Sequence, residues 1–333
     1  MPAEILIVGQ GLAGTVLAWE FERAGFSFAV ADPGVSGTAS QLAAGMINPI
    51  TGKRFVKGPE FERRFAAARD CYREIEEKAG VSLWREMRIH RRFRTAEERE
   101  NFEVKFVRGD FQGFVEHADR EGFWIERAAR VDTALLLAAM RARLAAAGRL
   151  RAERVNPLAE VGRHALVIDC TGASLAGAPG FAELPWRLSK GEILRVAAAD
   201  LDPFVILNRR YWLLPVAPRQ ACVGATHEPE FADAAPSAAA REVLLAAATD
   251  FLGAPPRVLA HEAALRVGVP DYTPVVGRHP SISGLGLLSG LGNKGVLTAP
   301  SLARQWMNHL SEGVPFDADV AIGRFSPIRS TSG

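Results

Sequence analysis

The 333 residues carry 40 Lys and Arg against 38 Asp and Glu, which leaves a formal net charge of +2. Hydrophobic residues make up 48% of the chain and charged residues 23%, the mixture of an ordinary globular protein with a substantial core. This composition excludes a disordered chain, a collagen-like chain and a strongly basic nucleic-acid-binding tail, although it leaves local charged patches open.

The amino-terminal segment contains the most specific pattern in the chain. A short aliphatic run predicts a strand buried in a parallel sheet, and Gly9, Gly11 and Gly14 follow it with the spacing G-x-G-x-x-G. An amphipathic helix pattern comes next, and a second apolar run ends at Asp32. The order strand, glycine turn, helix, strand and acid is typical of a dinucleotide-binding unit.

Each residue type in this fingerprint has a physical reason. Gly9 permits the tight turn, Gly11 lets the backbone approach a pyrophosphate, and Gly14 lets the helix and the strand pack closely. The helix amino terminus offers free N–H groups to the anion, and we expect Asp32 to accept hydrogen bonds from ribose hydroxyls. The fingerprint alone leaves NAD and FAD open.

The remaining elements follow in chain order. We predict helices over 60–78, 97–106, 132–147 and 237–251 with a last helix ending near 310, and strands over 165–172, 188–198, 203–207, 211–216, 220–226 and 285–288. The consecutive strands between 188 and 226 indicate an antiparallel sheet. We therefore expect an α/β fold in which a Rossmann-like dinucleotide-binding domain is interleaved with an antiparallel-sheet domain.

The cysteine content bears on the compartment and on metal binding. Cys71, Cys170 and Cys222 are widely spaced and form no CxxC pair, which disfavours a disulfide framework and a structural zinc site. No apolar run approaches the roughly 20 residues needed to span a bilayer, and the amino terminus lacks the pattern of a signal peptide. We therefore expect a cytoplasmic protein without a metal or a membrane span.

Several further segments occur in the order of one known family. They are ASQLAAGMINPITGKRF (39–55), ALVIDCTGAS (165–174), LSKGEILRV (188–196), YWLLPV (211–216), VGATHE (223–228), LRVGVPDYTPVVGRHP (265–280) and GLGNKGVLTAPSLA (290–303). Together with the opening ILIVGQGLAG, they resemble the FAD-dependent amine oxidase family of D-amino-acid oxidase, glycine oxidase and sarcosine oxidase. The last two segments are also similar to the flavin domain of the bifunctional enzyme that modifies the wobble uridine of tRNA.

The resemblance implies FAD as the cofactor, with the flavin ring between two domains. We place an FAD-binding domain over 1–80, 131–187 and 266–321, a substrate domain over 81–130 and 188–265, and a frayed tail over 322–333. The residues that the resemblance assigns to FAD are Gly9, Gly11, Leu12, Ala13, Gly14, Asp32, Ser40, Gln41, Ala44, Gly45, Met46, Val155, Thr171, Gly172, Gly292, Asn293, Lys294 and Gly295.

The resemblance also implies three residues at the reacting centre. Arg266 occupies the place where glycine and D-amino-acid oxidases hold the substrate carboxylate with an arginine, and the guanidinium group suits such a bidentate contact. Val267 follows it where the family usually has proline. The family tyrosine that assists carboxylate binding is only loosely matched by Tyr211, which has Trp212 beside it. Lys294 is expected to tune the flavin or its reaction with O2.

These assignments predict an FAD-dependent oxidoreductase that oxidises a C–N bond of a small amine or amino acid by hydride transfer to flavin N5. The imine would hydrolyse in water, and O2 or another acceptor would reoxidise the flavin. Two alternatives stay open: a flavoenzyme acting on a modified tRNA uridine, and an FAD-binding subunit of a larger dehydrogenase without turnover of its own.

Two basic stretches, at 53–57 and 85–94, bear on the tRNA alternative. The second reads REMRIHRRFR and is able in principle to contact an RNA backbone. Glu97, Glu98 and Glu100 follow it directly, so we interpret it as a solvated, salt-paired face. Together with the balanced net charge, this disfavours nucleic acid as a partner.

Overall fold

The computed structural model of the chain describes residues 4–325. Its α-helices are α1 (Leu12–Arg23), α2 (Ala39–Leu42), α3 (Phe61–Ala79), α4 (Ala96–Val107), α5 (Thr133–Ala146), α6 (Pro157–Glu160), α7 (Ala238–Leu252) and α8 (Gly295–Glu312). The long predicted helices are all present, with ends that differ by one or two residues. Side chains such as Thr95, Asp132 and Ser237 cap their amino ends by accepting a backbone hydrogen bond.

The strands form two large sheets and one small hairpin. They are β1 (Ile5–Val8), β2 (Phe28–Ala31), β3 (Met46–Ile47), β4 (Ile50–Thr51), β5 (Val56–Lys57), β6 (Trp84–Arg92), β7 (Val115–Ala118), β8 (Gly122–Val131), β9 (Leu150–Arg151), β10 (Leu166–Asp169), β11 (Arg187–Ala197), β12 (Val205–Asn208), β13 (Trp212–Ala217), β14 (Gln220–Gly224), β15 (Val258–Gly268), β16 (Val275–Arg278) and β17 (Leu285–Ser289). β4 and β5 pair only with each other among the described strands.

Six strands form what we call the parallel sheet, in the order β16-β17-β10-β1-β2-β9. All neighbours are parallel except the edge pair of β16 and β17. Helices α1 and α8 cover the face of Ile5 and Ile7, and a smaller apolar cluster covers the face of Leu6 and Val8. Burial on both faces explains why β1 is a continuous aliphatic run.

The second large sheet, which we call the mixed sheet, has nine strands. Eight of them lie in the order β15-β11-β14-β13-β12-β6-β8-β3, and β7 pairs with β8. The predicted antiparallel pairing holds for β11, β12, β13 and β14, whereas the other edge of β12 pairs in parallel with β6. This parallel pair joins strands that precede residue 131 with strands that follow residue 187. Local sequence patterns do not specify such a long-range neighbour, so the prediction missed it.

The strand pairing crosses the predicted domain division at two places. β3, from the first FAD-binding segment, pairs with β8 of the mixed sheet. β15 continues to Gly268 and therefore carries Arg266 as part of the mixed sheet. The division into domains stays a prediction, with Arg266 on a strand that reaches the boundary.

The predicted frayed tail differs from the structure over its first four residues. Ile322–Phe325 form a short 3-10 helix, in which Ile322 is buried. Arg324 Nε donates to Asp271 Oδ2 at 3.0 Å and Nη1 donates to the carbonyl oxygen of Val320 at 2.8 Å. The remaining part of that prediction, 326–333, lies outside the described residues.

An ion pair between a buried carboxylate and a partly exposed arginine connects the two helices on the parallel sheet. Glu20 of α1 has no solvent exposure and accepts two hydrogen bonds from Arg304 of α8, at 2.9 and 3.0 Å. Arg23 donates a third hydrogen bond to Glu20, at 2.8 Å.

No helix in the described part of the chain is both long and apolar enough to cross a membrane.

Candidate active site

The turn between β1 and α1 has no room for a side chain at two of its glycines. A Cβ atom at Gly14 would lie 1.9 Å from the carbonyl oxygen of Gly9, and one at Gly9 would lie 2.7 Å from the carbonyl oxygen of Cys170. Gly9 also has a φ of +98°, a conformation that favours glycine. These glycines hold β1, β10 and α1 in close contact, as the fingerprint predicts.

The first turn of α1 keeps backbone donors available. α1 begins after Gly11, which has no side-chain cap, and its first turn contains no acidic residue. The N–H of Leu12 donates to Ser40 Oγ at 3.0 Å, whereas those of Ala13 and Gly14 find no acceptor in the described part of the chain. Free N–H groups at a helix amino terminus form a binding place for phosphate.

Asp32 lies directly after β2, beside this turn. Its Oδ2 accepts the N–H of Gln10 at 2.8 Å, and its Oδ1 accepts the N–H of Gly34 at 2.7 Å. Arg141 Nη1 donates to the same Oδ1 at 2.9 Å. The carboxylate is therefore at the position expected for a ribose contact, but three protein donors already use it.

The segment from α2 to β3 leads from the fingerprint turn to the mixed sheet. Gln41 caps α2 through its side chain, and Met46 pairs with Arg130 of β8. A Cβ atom at Gly45 would lie 1.8 Å from the carbonyl oxygen of Val131. Gln41 and Gly45 thus have local structural roles, whether or not they also contact a cofactor, and Ala44 packs between them against the core.

The carboxyl end of β10 contributes a buried acid that no sequence motif singles out. Asp169 is 1% exposed, and its Oδ1 accepts both the N–H and the hydroxyl of Thr171, at 2.9 and 2.7 Å. Burial raises the pKa of Asp169 to about 6, although the hydrogen bonds from Thr171 act to lower it. Thr171 therefore serves Asp169. Of the other predicted nucleotide contacts, Gly172 begins the short 3-10 helix that follows, and Val155 packs against the apolar cluster of Leu6 and Val8.

The glycine-rich loop after β17 is tied to the mixed sheet. The N–H of Gly292 donates to the carbonyl oxygen of Val267 at 3.0 Å, and that of Lys294 donates to Leu291 at 3.1 Å. Only the N–H groups of Asn293 and Gly295 lack an acceptor within the described residues. Of the four residues predicted to present N–H groups to a flavin, only these two therefore have a backbone donor free to do so within the described part of the chain.

Arg266 is a largely buried cation without an acidic partner. Within residues 4–325 no carboxylate lies in ion-pair distance of its guanidinium group, and Nη1 donates only to the carbonyl oxygen of Thr226 at 3.2 Å. Burial lowers the pKa of Arg266, and no neighbouring charge acts against it. The guanidinium group lies flat over Gly191, where a Cβ atom would come within 2.1 Å of Nη2.

Trp212, not Tyr211, faces the same side of the mixed sheet as Arg266. Trp212 and Ile193 both lie against Gly224, where a Cβ atom would meet each side chain at 2.8 Å. Tyr211 packs on the opposite side, with the apolar cluster beneath α7. The alternation of side chains along a strand separates the two residues, so the predicted catalytic role of Tyr211 is not supported.

The basic stretch 85–94 covers most of β6 and is salt-paired only in part. Arg85 is exposed and lies over the ring of Phe204, and Arg92 lies over the ring of Phe251, whereas two other arginines have carboxylate partners. Arg88 pairs with Glu126 at 2.7 Å, and Arg94 Nε donates to Glu98 at 2.6 Å. Arg91 is not part of the solvated face: it is buried over the ring of Phe55, and its Nη2 lies 3.6 Å from Glu98 Oε1. Burial lowers its pKa to about 10, so Arg91 belongs to the core and not to a solvated face.

These features fit a bound dinucleotide. The glycine turn leaves a cradle without side chains, α1 offers free donors, and Asp32 lies at the strand end where a ribose is expected. At the same edge of the parallel sheet, the buried hydroxyl of Ser289 has no hydrogen-bond partner among the described residues. An orphaned polar group beside such a cradle is consistent with a polar ligand.

The family model described as FAD dependent oxidoreductase matches residues 4–307, and the chain belongs to this family. FAD is accordingly the cofactor. Among curated proteins, glycine oxidase of Pseudomonas aeruginosa is 34% identical over 125 residues, which cover 37% of this chain and 34% of that protein. The bifunctional protein of tRNA 5-methylaminomethyl-2-thiouridine biosynthesis from Hahella chejuensis is 34% identical over 181 residues, 50% of this chain and 29% of that protein. The matched segments thus span about a third of these relatives' own length.

Solved structures share the fold over nearly the whole chain. Iminodiacetate oxidase from Chelativorans sp. BNC1 has a TM-score of 0.80 at 22% identity and covers 97% of this chain and 98% of that one. Glycine oxidase from Geobacillus kaustophilus has a TM-score of 0.77 at 20% identity, with 92% and 94% covered. These likenesses confirm the predicted fold class.

Asp169 predicts a pH dependence of stability. Its pKa is about 6 in the folded chain against 3.8 for the free side chain, so the folded state favours the neutral acid. This contribution is fully present below about pH 4 and is lost as the pH rises through 6. Asp169→Asn removes it, so the free energy of unfolding of the wild type should fall relative to the variant by about 2–3 kcal/mol over that range.

Urea unfolding of both proteins between pH 4 and 7 measures this difference. Asp70→Asn, an exchange of an exposed carboxylate on α3, is the control for general charge effects. Parallel pH profiles for the wild type and Asp169→Asn would show that the acid is ionised throughout.

Proposed function

We propose that the protein oxidises the C–N bond of a small amine that carries a carboxylate, such as an amino acid. The observation that supports this most is Arg266, a buried guanidinium group for which the described chain supplies no counter-ion. Burying a charge without a partner is costly, so such a group is best explained by an anionic ligand. The planar guanidinium group binds a carboxylate through two parallel hydrogen bonds.

The backbone around Arg266 orients this group. Gly191 leaves the space in which the guanidinium group lies, and the Thr226 carbonyl oxygen accepts one of its donors. Thr226 is itself held by the backbone of Glu192: the Thr226 N–H donates to the Glu192 carbonyl oxygen at 3.1 Å, and the Glu192 N–H donates to Thr226 Oγ1 at 2.9 Å. A ligand carboxylate therefore meets donors that are already in place, which reduces the entropy lost on binding.

The same side of the sheet supplies the wall of the substrate cavity. The six-membered ring of the Trp212 indole lies against Gly224, beside Ile193, and both side chains are apolar. We infer that this surface limits the size of the side chain on the substrate carbon and excludes water. When bound, FAD supplies the hydride acceptor at N5 of its ring.

The glycine-rich loop contributes polar groups on the cofactor side. Asn293 and Gly295 keep free N–H groups, and Lys294 places an exposed cation in the same turn. Donors and a cation stabilise negative charge that develops at the edge of a flavin when it is reduced. The hydrogen bond from Gly292 to Val267 keeps this loop beside the strand that carries Arg266.

The comparisons support a substrate of this class. Two curated glycine oxidases match the chain at 34% identity, and two structural neighbours are oxidases named for glycine and for iminodiacetate. Both of these compounds carry a carboxylate one carbon from nitrogen. We propose O2 as the electron acceptor, with a second acceptor protein as the alternative. Peroxide release during turnover distinguishes the two.

A modified tRNA uridine is the second candidate, supported by the match to the tRNA-modifying protein of Hahella chejuensis. The basic stretch argues against it, because Arg88 and Arg94 are engaged by carboxylates and Arg91 is buried. The two candidates are distinguished by adding bulk tRNA at low salt to the anaerobic flavin-bleaching assay described below. Bleaching by tRNA would favour the modified uridine, and bleaching by glycine alone would favour the amino acid. An FAD-binding subunit without turnover predicts no flavin bleaching with either kind of substrate.

Replacement of the Arg266 guanidinium group should strongly weaken the recognition of a substrate carboxylate. We expect Arg266→Lys to lower kcat/KM for glycine by about a hundredfold, because a single ammonium group cannot replace two parallel donors. Gly191→Ala, which keeps the arginine but fills the space beneath it, should cause a similar loss. The measurement is anaerobic flavin bleaching against a panel of glycine, sarcosine, iminodiacetate and amines without a carboxylate.

The control is Arg195→Met, which removes an arginine of the neighbouring strand β11 that pairs with Glu262 at 3.6 Å. It should leave kcat/KM within about threefold of the wild type. FAD content must be unchanged in all three variants. Equal activity of Arg266→Lys and the wild type on glycine would remove Arg266 from substrate binding.

Trp212 should determine the size of the substrate side chain. Trp212→Ala opens the cavity wall, so we expect kcat/KM for phenylalanine to rise by about tenfold relative to that for glycine. Tyr211→Ala is the matched control, since Tyr211 packs on the opposite side of the sheet. If both variants shift the ratio equally, the indole does not line the cavity.

A further inference from the structure

Arg141 on α5, which belongs to none of the sequence motifs, lies beside the fingerprint turn. Its Nη1 donates to Asp32 Oδ1 at 2.9 Å and to Gln10 Oε1 at 3.2 Å. Its Nη2 donates to the backbone carbonyl oxygen of Asp32 at 3.1 Å. The guanidinium group lies on Gly34, where a Cβ atom would come within 2.9 Å of Nη2.

These contacts connect α5 to the centre of the fingerprint. Gln10 stands between the first two glycines, is 7% exposed, and donates through Nε2 to the carbonyl oxygen of Leu137 at 2.9 Å. Arg141 therefore holds the side chain of Asp32 from one side while Gln10 holds it from the other. The carboxylate has no freedom to rotate without breaking several hydrogen bonds.

The arrangement also fixes how much of the carboxylate stays available. An ionised carboxylate accepts about four hydrogen bonds, two on each oxygen. Oδ1 is filled by the donors of Gly34 and Arg141, whereas Oδ2 accepts only the N–H of Gln10 among the residues that the structure describes. One acceptor site on Oδ2 is left for a ligand.

We propose that Arg141 is a positioning residue for FAD, which acts by fixing Asp32 so that Oδ2 accepts a hydroxyl of the adenosine ribose. This inference rests on the proposed role of Asp32 at the ribose. Arg141 also compensates the charge of Asp32, which otherwise repels the pyrophosphate that binds at the free N–H groups of α1.

The same helix contains a comparison pair. Arg143 of α5 pairs with Glu22 of α1, with side-chain exposures of 35% and 20% against 29% and 20% for Arg141 and Asp32. Partly exposed pairs of this kind contribute little to stability. The two pairs differ in their surroundings, because Asp32 lies at the fingerprint turn and Glu22 lies near the end of α1.

The experiment compares two ligands in three holoproteins by equilibrium exchange, followed by flavin fluorescence. The ligands are FAD and its analogue with a 2′,3′-dideoxyadenosine group, and the proteins are the wild type, Arg141→Met and Arg143→Met. We expect Arg141→Met to weaken FAD by at least about tenfold and the analogue by less than about threefold. Arg143→Met should change neither affinity by more than about threefold.

The outcomes separate this inference from the role of Asp32. A wild type that binds both ligands equally would remove the ribose contact itself, and the inference with it. A wild type that prefers FAD while Arg141→Met keeps the full preference would overturn the role of Arg141 alone. Equal weakening of both ligands would show a general structural effect and overturn it as well. Arg141→Lys keeps the positive charge but lacks the paired donors of the guanidinium group, so it should give an intermediate preference for FAD over the analogue. It replaces Arg141→Met in the comparison if that variant is unstable.

Discussion

The candidate site depends on the hydrogen bond from the N–H of Gly292 to the carbonyl oxygen of Val267. This bond joins the loop that closes the parallel sheet to the strand of the mixed sheet that carries Arg266. The pairing of β3 with β8 is a second backbone connection between the FAD-binding segments and the mixed sheet. Because backbone groups make the connection, its geometry does not depend on which side chain follows Arg266. A proline in place of Val267 would keep the same carbonyl acceptor.

Charge pairing distinguishes Arg266 from the other buried cations near it. Lys190 of β11 lies 3.1 Å from Glu192 and 3.4 Å from Glu228, and Glu192 also accepts the N–H and hydroxyl of Ser237. These groups lie on the α7 side of the sheet and satisfy one another. Arg266, on the other side, is the cation left for a ligand. A net charge of +2 conveys nothing of this contrast, since the relevant quantity is which charges have partners.

The sequence predicts those parts of the structure that local patterns encode. The fingerprint glycines, Asp32 and the capped helices follow from short-range rules, and the family motifs locate Arg266. The parallel pairing of β6 with β12, the inward position of Arg91 and the side of the sheet on which Trp212 lies depend on strand register. Strict alternation from Gly191 to Ile193 and across to Gly224 would have favoured Trp212 over Tyr211, had the register been known. Arg141 was missed because its role comes from a contact 109 residues away in the chain, and Asp169 because its burial between sheet neighbours leaves no local pattern in the sequence.

The most direct test of the account is a titration of the oxidised holoprotein with a carboxylate that cannot be oxidised, such as benzoate, followed by the visible spectrum of the flavin. A carboxylate held by Arg266 beside the ring changes the surroundings of the flavin. The account predicts a saturable spectral change in the wild type that is lost in Arg266→Ala with FAD retained. An identical titration curve for the two proteins, or no spectral change in the wild type, would contradict it.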